Sequence, residues 1–222
     1  DSKLILLIIG IKVCRKIALL LAFLLLSNNF TYSQTENSVS AGVGFLTAPD
    51  FFNLLENVGM MMISFGTLNS SLDFNSVSPA VYFNYSRNIS KSITVGASFV
   101  YQKFEKNILL RPQSNPSIEE NVGIFTRSYY SFYPEFNFYY LTSDFFTLFS
   151  SIGVGISIRD DTQEWRSSNY GTPASLTETK VLYIPCFQIN PLGFQIGNKL
   201  KITTAFGLGY QGLFTASMKY CF

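Results

Sequence analysis

Apolar and polar residues alternate along most of the chain from residue 38 onward. The pattern is clearest in the last nine residues, where the apolar set is Phe214, Ala216, Met218, Tyr220 and Phe222. The residues between them are small or polar. A period of two is what a β-strand produces when its two faces meet different surroundings. The end of the chain is therefore predicted to be an amphipathic strand.

The same alternation predicts eight strands in all. Their expected bounds are Val39–Phe45, Val77–Tyr85, Ile93–Tyr101, Tyr130–Tyr140, Phe146–Ile158, Val181–Ile196, Ile202–Tyr210 and Phe214–Phe222. The sixth strand changes phase at Asn190-Pro191, which indicates a β-bulge, because a bulge tolerates a proline within a strand. Except at the last hairpin, long and short connections alternate.

Three long connections are predicted, namely Thr47–Ser76, Lys106–Thr126 and Arg159–Thr179. Within the first of them, apolar residues recur at helical spacing from Phe51 to Val58. A helix and a re-entrant strand are both compatible with this stretch. The other two connections are polar.

The residue types on the two faces indicate which face is outside. The polar face is mostly Ser, Thr, Gly, Asn and Gln, which fits the crowded interior of a narrow closed barrel better than a water-exposed surface. The large apolar face, with aromatic residues at strand ends, fits a band in contact with lipid. The sheet must close into a barrel, because the backbone groups of an open sheet edge would have no hydrogen-bond partners in the hydrocarbon of the membrane. We therefore predict an all-β fold, an eight-stranded antiparallel up-and-down transmembrane β-barrel. A secreted soluble β-barrel that binds a ligand is the competing interpretation.

Composition supports a membrane protein. Charged residues make up 14% of the chain, against ~25% in ordinary soluble domains. Without the first 33 residues, the chain retains 12 Lys+Arg against 13 Asp+Glu. The basic footprint of a nucleic-acid-binding protein is therefore absent.

The amino terminus reads as a cleaved signal peptide. Lys12, Arg15 and Lys16 precede the apolar run Ile17–Leu26, and the small residues Thr31 and Ser33 stand at positions −3 and −1 of a cut after Ser33. A transmembrane helix is the alternative, but these three cations would lie near its middle at ~2.5–3.5 kcal/mol each. We expect residues 1–33 to form the leader and signal peptide, and residues 34–222 to form the barrel domain.

Candidate chemistry is sparse. The chain contains no histidine, which removes Ser-His hydrolytic schemes and histidine-containing zinc sites. Asp160, Asp161 and Glu164 could be read as a calcium cluster, but such residues in a polar loop are usually solvated. We expect no enzyme activity, no cofactor and no metal site. Cys186 and Cys221 are expected to be free thiols rather than a disulfide.

Three charges fall on the predicted interior face: Glu135, Lys201 and Lys219. A buried charge is costly unless it is paired. We therefore expect an ion pair between Glu135 and Lys201 or Lys219, which would plug the lumen rather than line a pore.

The signal peptide, the eight strands, the closing hairpin Gly207–Leu213 and the terminal Phe222 resemble the small outer-membrane β-barrel proteins of Gram-negative bacteria. The size is OmpA/OmpX-like, and the pattern is nearest to PorT-like outer-membrane β-barrel domains. The resemblance implies that Phe214, Tyr220 and Phe222 act as the signal that the barrel-assembly machinery reads. It also implies localisation in the cell outer membrane, in contact with its lipid.

The expected function is a non-enzymatic integral outer-membrane barrel with a structural or interaction role, in which the long loops contact an unknown protein partner. A narrow passive channel for small solutes is the alternative. Eight strands enclose an interior that side chains roughly fill, so a wide pore is not expected.

Overall fold

The structure is a computed structural model that describes residues 37–55, 78–110, 120–143, 145–165 and 177–222. The predicted leader, residues 1–33, lies outside the described residues. The eight strands are β1 (Asn37–Phe45), β2 (Ala80–Asn88), β3 (Ile93–Leu110), β4 (Glu120–Thr142), β5 (Phe146–Trp165), β6 (Thr177–Gly197), β7 (Leu200–Gly209) and β8 (Phe214–Cys221).

The strands form one closed antiparallel ring in sequence order, and β8 returns to pair with β1. At the seam, the amide of Asn37 donates to the carbonyl of Phe222 at 2.9 Å, and the amide of Phe222 donates to the carbonyl of Asn37 at 2.8 Å. Closure leaves no unpaired sheet edge in the part of the ring that all eight strands share. The predicted eight-stranded up-and-down barrel is confirmed.

A short helix, α1, covers the described residues 48–55 after β1. Thr47 and Asp50 form a reciprocal cap at its start: the amide of Asp50 donates to Thr47 Oγ1 at 3.2 Å, and the amide of Thr47 donates to Asp50 Oδ2 at 2.6 Å. The helical reading of this stretch is therefore correct for these residues. In the described part of the chain, no helix has the length and apolar character needed to cross a membrane.

The bulge predicted in β6 is confirmed. The pairing of β6 shifts by one residue against both neighbours, between Phe149 and Ser151 of β5 and between Ile189 and Leu192 of β6 itself. The outward-facing set consequently moves from odd positions such as Ile189 to even ones such as Leu192. The proline thus stands where the ladder is already interrupted.

The predicted bounds of two long connections, Lys106–Thr126 and Arg159–Thr179, are wrong. β3 runs to Leu110 and β4 begins at Glu120, while β5 runs to Trp165 and β6 begins at Thr177. Backbone pairing continues beyond the barrel, but apolar and polar residues no longer alternate regularly there, so the pattern that marks a strand disappears. We call this four-stranded part, residues 102–110, 120–129, 159–165 and 177–182, the extension.

Candidate functional site

The outer wall of the barrel is a belt of large apolar side chains. Outward-facing residues with exposed side chains include Phe83, Phe99, Phe132, Phe136, Ile152, Val154, Ile202, Leu208 and Met218. A soluble monomer rarely exposes one contiguous apolar surface of this extent. The belt is therefore the surface that meets lipid.

The belt ends at one row of paired residues. Tyr101 pairs with Tyr130, Tyr130 with Ile158, and Ile158 with Tyr183, across β3 to β6. The second outward row above it is Glu105, Thr126, Thr162 and Thr179. The outward face thus changes from apolar to polar within a few residues. The extension begins above this boundary row and stands in water.

Aromatic side chains fill the outer half of the lumen, toward the extension. The buried cluster consists of Ala48, Ala80, Tyr82, Val100, Phe104, Tyr129, Tyr133, Cys186 and Tyr210. Tyr133 is completely buried, and Gly153 leaves room for its ring, since a Cβ at that glycine would lie 2.5 Å from Tyr133 Cδ2. The glycines of β5 therefore relieve crowding in the lumen.

Helix α1 covers this cluster with its polar side turned inward. Thr47 Oγ1 lies 2.7 Å from Gln102 Oε1, and Gln102 Nε2 donates to Asp50 Oδ1 at 3.1 Å. Arg127 of β4 donates to Asn53 Oδ1 at 2.5 Å. The opposite side of α1 exposes Phe51, Phe52, Leu54 and Leu55. Helical spacing predicted the helix, but these polar anchors are what determine the side that faces the lumen.

The anchor on Arg127 belongs to an ion network on the inner face of the extension. Asp161 accepts from Arg127 Nε at 2.8 Å and from Arg159 at 2.6–3.0 Å. Burial by itself would raise the pKa of Asp161, but the hydrogen bonds and charges of Arg159 and Arg127 together lower it below its ordinary value. Two arginines thus hold this carboxylate ionised.

The calcium cluster considered for β5 does not form in the described structure. Asp161 points to the inner face and is occupied by its arginines. Asp160 lies one position away in the strand and therefore on the opposite, outward face.

The inner half of the lumen is polar and contains Glu135. Its side chain is 6% exposed and accepts hydrogen bonds from Ser98 Oγ at 2.5 Å and Asn84 Nδ2 at 3.1 Å. Lys219, which is 8% exposed, donates to the hydroxyl of Tyr139 at 3.2 Å. Both charges line one cavity of about 40 Å³.

Among the described residues, no direct ion pair joins Glu135 to Lys201 or Lys219, so that part of the expectation is wrong. Neutral donors on β2 and β3 satisfy the carboxylate instead, and the cavity separates it from Lys219. Lys201 faces a second cavity nearer the barrel end, which it shares with Lys219. The inward placement of all three charges agrees with the alternation.

Phe214, Tyr220 and Phe222 are exposed on the outer wall at the closing seam. Phe214 packs edge-on against Phe206 at 4.3 Å between ring centroids, and Tyr220 stacks with Phe222 at 6.1 Å. Their role as an assembly signal stays a prediction. Cys186 and Cys221 are both free and buried, which confirms the expectation that they do not pair.

A closed ring with an apolar belt outside and polar groups inside is an integral membrane β-barrel. Eight antiparallel strands, with short turns at one end and long connections at the other, are the form that this architecture takes in outer membranes. The protein is thus a small outer-membrane β-barrel.

No protein-family model matches the sequence, and no curated protein matches it significantly. Two solved structures of Ail, the attachment invasion locus protein of Yersinia pestis, are similar to the chain. One, in complex with the heparin analogue sucrose octasulfate, has 14% identity and a TM-score of 0.36. The other has 12% identity and a TM-score of 0.40. In both cases the match covers 86% of this chain and 100% of the Ail chain. At these values the likeness does not bear on function.

Proposed function

We propose that this protein is a non-enzymatic outer-membrane barrel whose extension and helix α1 together bind a protein partner outside the cell. The observation that carries the proposal is the continued pairing of β3 to β6 above the boundary row. Lipid contact needs only ~9–11 residues per strand, yet β4 has 23 residues. The surplus builds an ordered surface in water that membrane insertion does not require.

The geometry of the extension suits a protein partner. Its part of β4, residues 120–129, spans about 30 Å along the strand at ~3.3 Å per residue. Among the described strands, the pairing of β3 with β2 ends at Tyr101 and the pairing of β6 with β7 begins at Gln188, so the extension forms two edges of the described sheet. Backbone groups at such edges can be paired by another chain.

Charge on the extension favours a protein over a polyanion. Cations and carboxylates are interspersed in similar numbers: Lys103, Glu105, Lys106, Arg127, Arg159, Asp160, Asp161, Glu164, Glu178 and Lys180. A surface for a polyanion would instead be predominantly basic. The exposed apolar side of α1 adds contact area of the kind found at the centre of protein interfaces.

The likeness of the strand pattern to PorT-like domains suggests a narrower form of the proposal, in which the partner belongs to a secretion or envelope-assembly system. The channel alternative has less support. Aromatic side chains and α1 occupy the outer half of the lumen, and the cavities of the inner half are small. We expect no stable conductance in planar bilayers after verified insertion, and a steady single-channel current would favour the channel instead.

The binding proposal is tested in intact cells with a photo-crosslinking amino acid placed at Thr162 or Thr179 on the extension. A discrete adduct is expected from these positions. Heat-modifiable migration shows that the barrel carrying the crosslinker still assembles.

The matched control carries the crosslinker at Val154, which faces lipid on β5 and should yield no protein adduct. Two results would contradict the proposal: no adduct from either extension position, or the same adduct from the lipid-facing position Val154.

A further inference from the structure

A second cavity lies at the periplasmic end of the lumen. It measures about 100 Å³ and is lined by Ser38, Asn88, Lys91, Tyr139, Thr142, Thr147, Gln195, Lys201, Lys219 and Cys221. These residues lie where β1 begins and β8 ends, and at or beside the short turns that follow β2, β4 and β6. With the extension outside the cell, as proposed, the cavity is at the end that faces the periplasm.

The charge of this cavity is positive. Three of its lining residues are lysines, and none of the described ones carries a carboxylate. Lys201 and Lys219 occupy directly paired positions of β7 and β8. Like charges directly opposite each other destabilise a sheet. The arrangement therefore has a cost that the described neighbours do not remove.

Lys219 carries most of that cost. Its side chain is 8% exposed, and its described hydrogen-bond partner is the neutral hydroxyl of Tyr139, whose ring also lies 5.9 Å from the ammonium. Buried charges are ordinarily paired. Glu135 lies on the other cavity that Lys219 borders and is bound to its own donors. This one carboxylate is outnumbered by three lysines, so the second cavity keeps a net positive charge that an anion would balance.

We propose that this cavity binds an oxyanion of phosphate size from the periplasm. The three ammonium groups would supply charge, and the hydroxyls and amides of Thr147, Gln195 and Asn88 would supply further hydrogen bonds to its oxygens. A free phosphate and the phosphate group of a larger molecule share this chemistry. The site is at the opposite end of the barrel from the extension, so anion binding can be tested independently of the protein partner proposed for the extension.

Cys221 provides the test, because its thiol lines the same cavity. In a Cys186→Ser background in detergent micelles, its modification by the neutral reagent methyl methanethiosulfonate is timed with rising inorganic phosphate at constant ionic strength. Phosphate at ten times its Kd should slow the reaction about tenfold, because only the unoccupied fraction reacts. Lys201→Gln should abolish this protection. Lys199 is an exposed lysine two residues before Lys201 that does not line the cavity, so Lys199→Gln should keep the protection.

Three outcomes would overturn the proposal. One is an absence of phosphate protection in the parent protein, and another is equal protection in Lys201→Gln and Lys199→Gln. The third concerns Asp144, which follows Ser143 in the sequence and lies outside the described residues. If protection appears only in Asp144→Asn, the chain itself neutralises the lysines.

Binding is confirmed separately by the unfolding midpoint, which phosphate should raise in the parent protein but not in Lys201→Gln. The source is resolved by repeating both measurements with glycerol 3-phosphate. Protection by both anions indicates that the phosphate group of a larger molecule is accommodated, and protection by inorganic phosphate alone restricts the site to the free anion.

Discussion

The buried carboxylate of Glu135 allows the sharpest test of the lumen. Replacing it with alanine removes the acceptor of hydrogen bonds from Ser98 at 2.5 Å and Asn84 at 3.1 Å. It also removes the carboxylate from the cavity that Lys219 borders. The barrel wall is untouched, since the side chain points inward.

The expected loss of stability is about 3–4 kcal/mol. A hydrogen bond to a charged group contributes ~1.5–3 kcal/mol, but Asn84 keeps its bond to Ser98 at 2.8 Å, so the two contributions do not add in full. Loss of a nearby negative charge further destabilises buried Lys219. Glu135→Gln retains the shape and one acceptor, so it should cost about 1–2 kcal/mol by the same reasoning.

The assay is urea unfolding in lipid vesicles, followed by far-UV circular dichroism and by heat-modifiable migration. We expect Glu135→Ala combined with Lys219→Met to lose less than the sum of the single variants, by about 1 kcal/mol or more. This coupling energy measures the attraction between Glu135 and Lys219 across the cavity, in place of the direct ion pair that was expected. Additivity within about 0.5 kcal/mol would refute the coupling, and a neutral Glu135→Ala would refute the role of the carboxylate.

Two further predictions concern the wall and the extension. Gly153→Val should destabilise the barrel by about 1–3 kcal/mol or more, because the added side chain overpacks against Tyr133. In the same unfolding assay, the control Val154→Ala, on the lipid side of the same strand, should cost less. Equal losses of stability in the two variants would contradict the packing argument. Asp161→Asn should weaken amide hydrogen-exchange protection in the extension, because it discharges the acceptor of two arginines, and Asp160→Asn on the outward face should not. Because the pKa of Asp161 is lowered on folding, its contribution to stability is complete above the ordinary pKa of 3.8 and is lost as the pH falls through the lower pKa of the folded state. Hydrogen-exchange protection of the extension that stays constant across that pH range would count against the network.

The number of strands and the faces of their membrane-spanning parts could be read from the sequence. The lipid-facing belt favours large apolar residues and the lumen favours small or polar ones, so apolar and polar residues alternate with a period of two along each spanning segment. The bulge at Asn190-Pro191 could also be read from the sequence, because it shifts the phase of this alternation. The inward placement of Glu135, Lys201 and Lys219 followed from the same rule.

The extension could not be read in this way. Above the boundary row both faces of a strand meet water or polar neighbours, so pairing continues while the contrast between alternate residues fades. The pattern consequently left Arg127 between a predicted loop and a predicted strand and placed Asp161 in another predicted loop. Their contact depends on the register of β4 against β5, which no local pattern encodes.

Across the lumen, sequence alone determined that Glu135 and Lys219 turn inward. Only the closed ring decided which side chains meet. The shear and curvature of the barrel bring Ser98 and Asn84 to the carboxylate, leave a cavity between it and Lys219, and place Lys201 and Lys219 side by side at the periplasmic end. These contacts depend on relative heights and rotations of strands far apart in the chain, which alternation within any one strand does not specify.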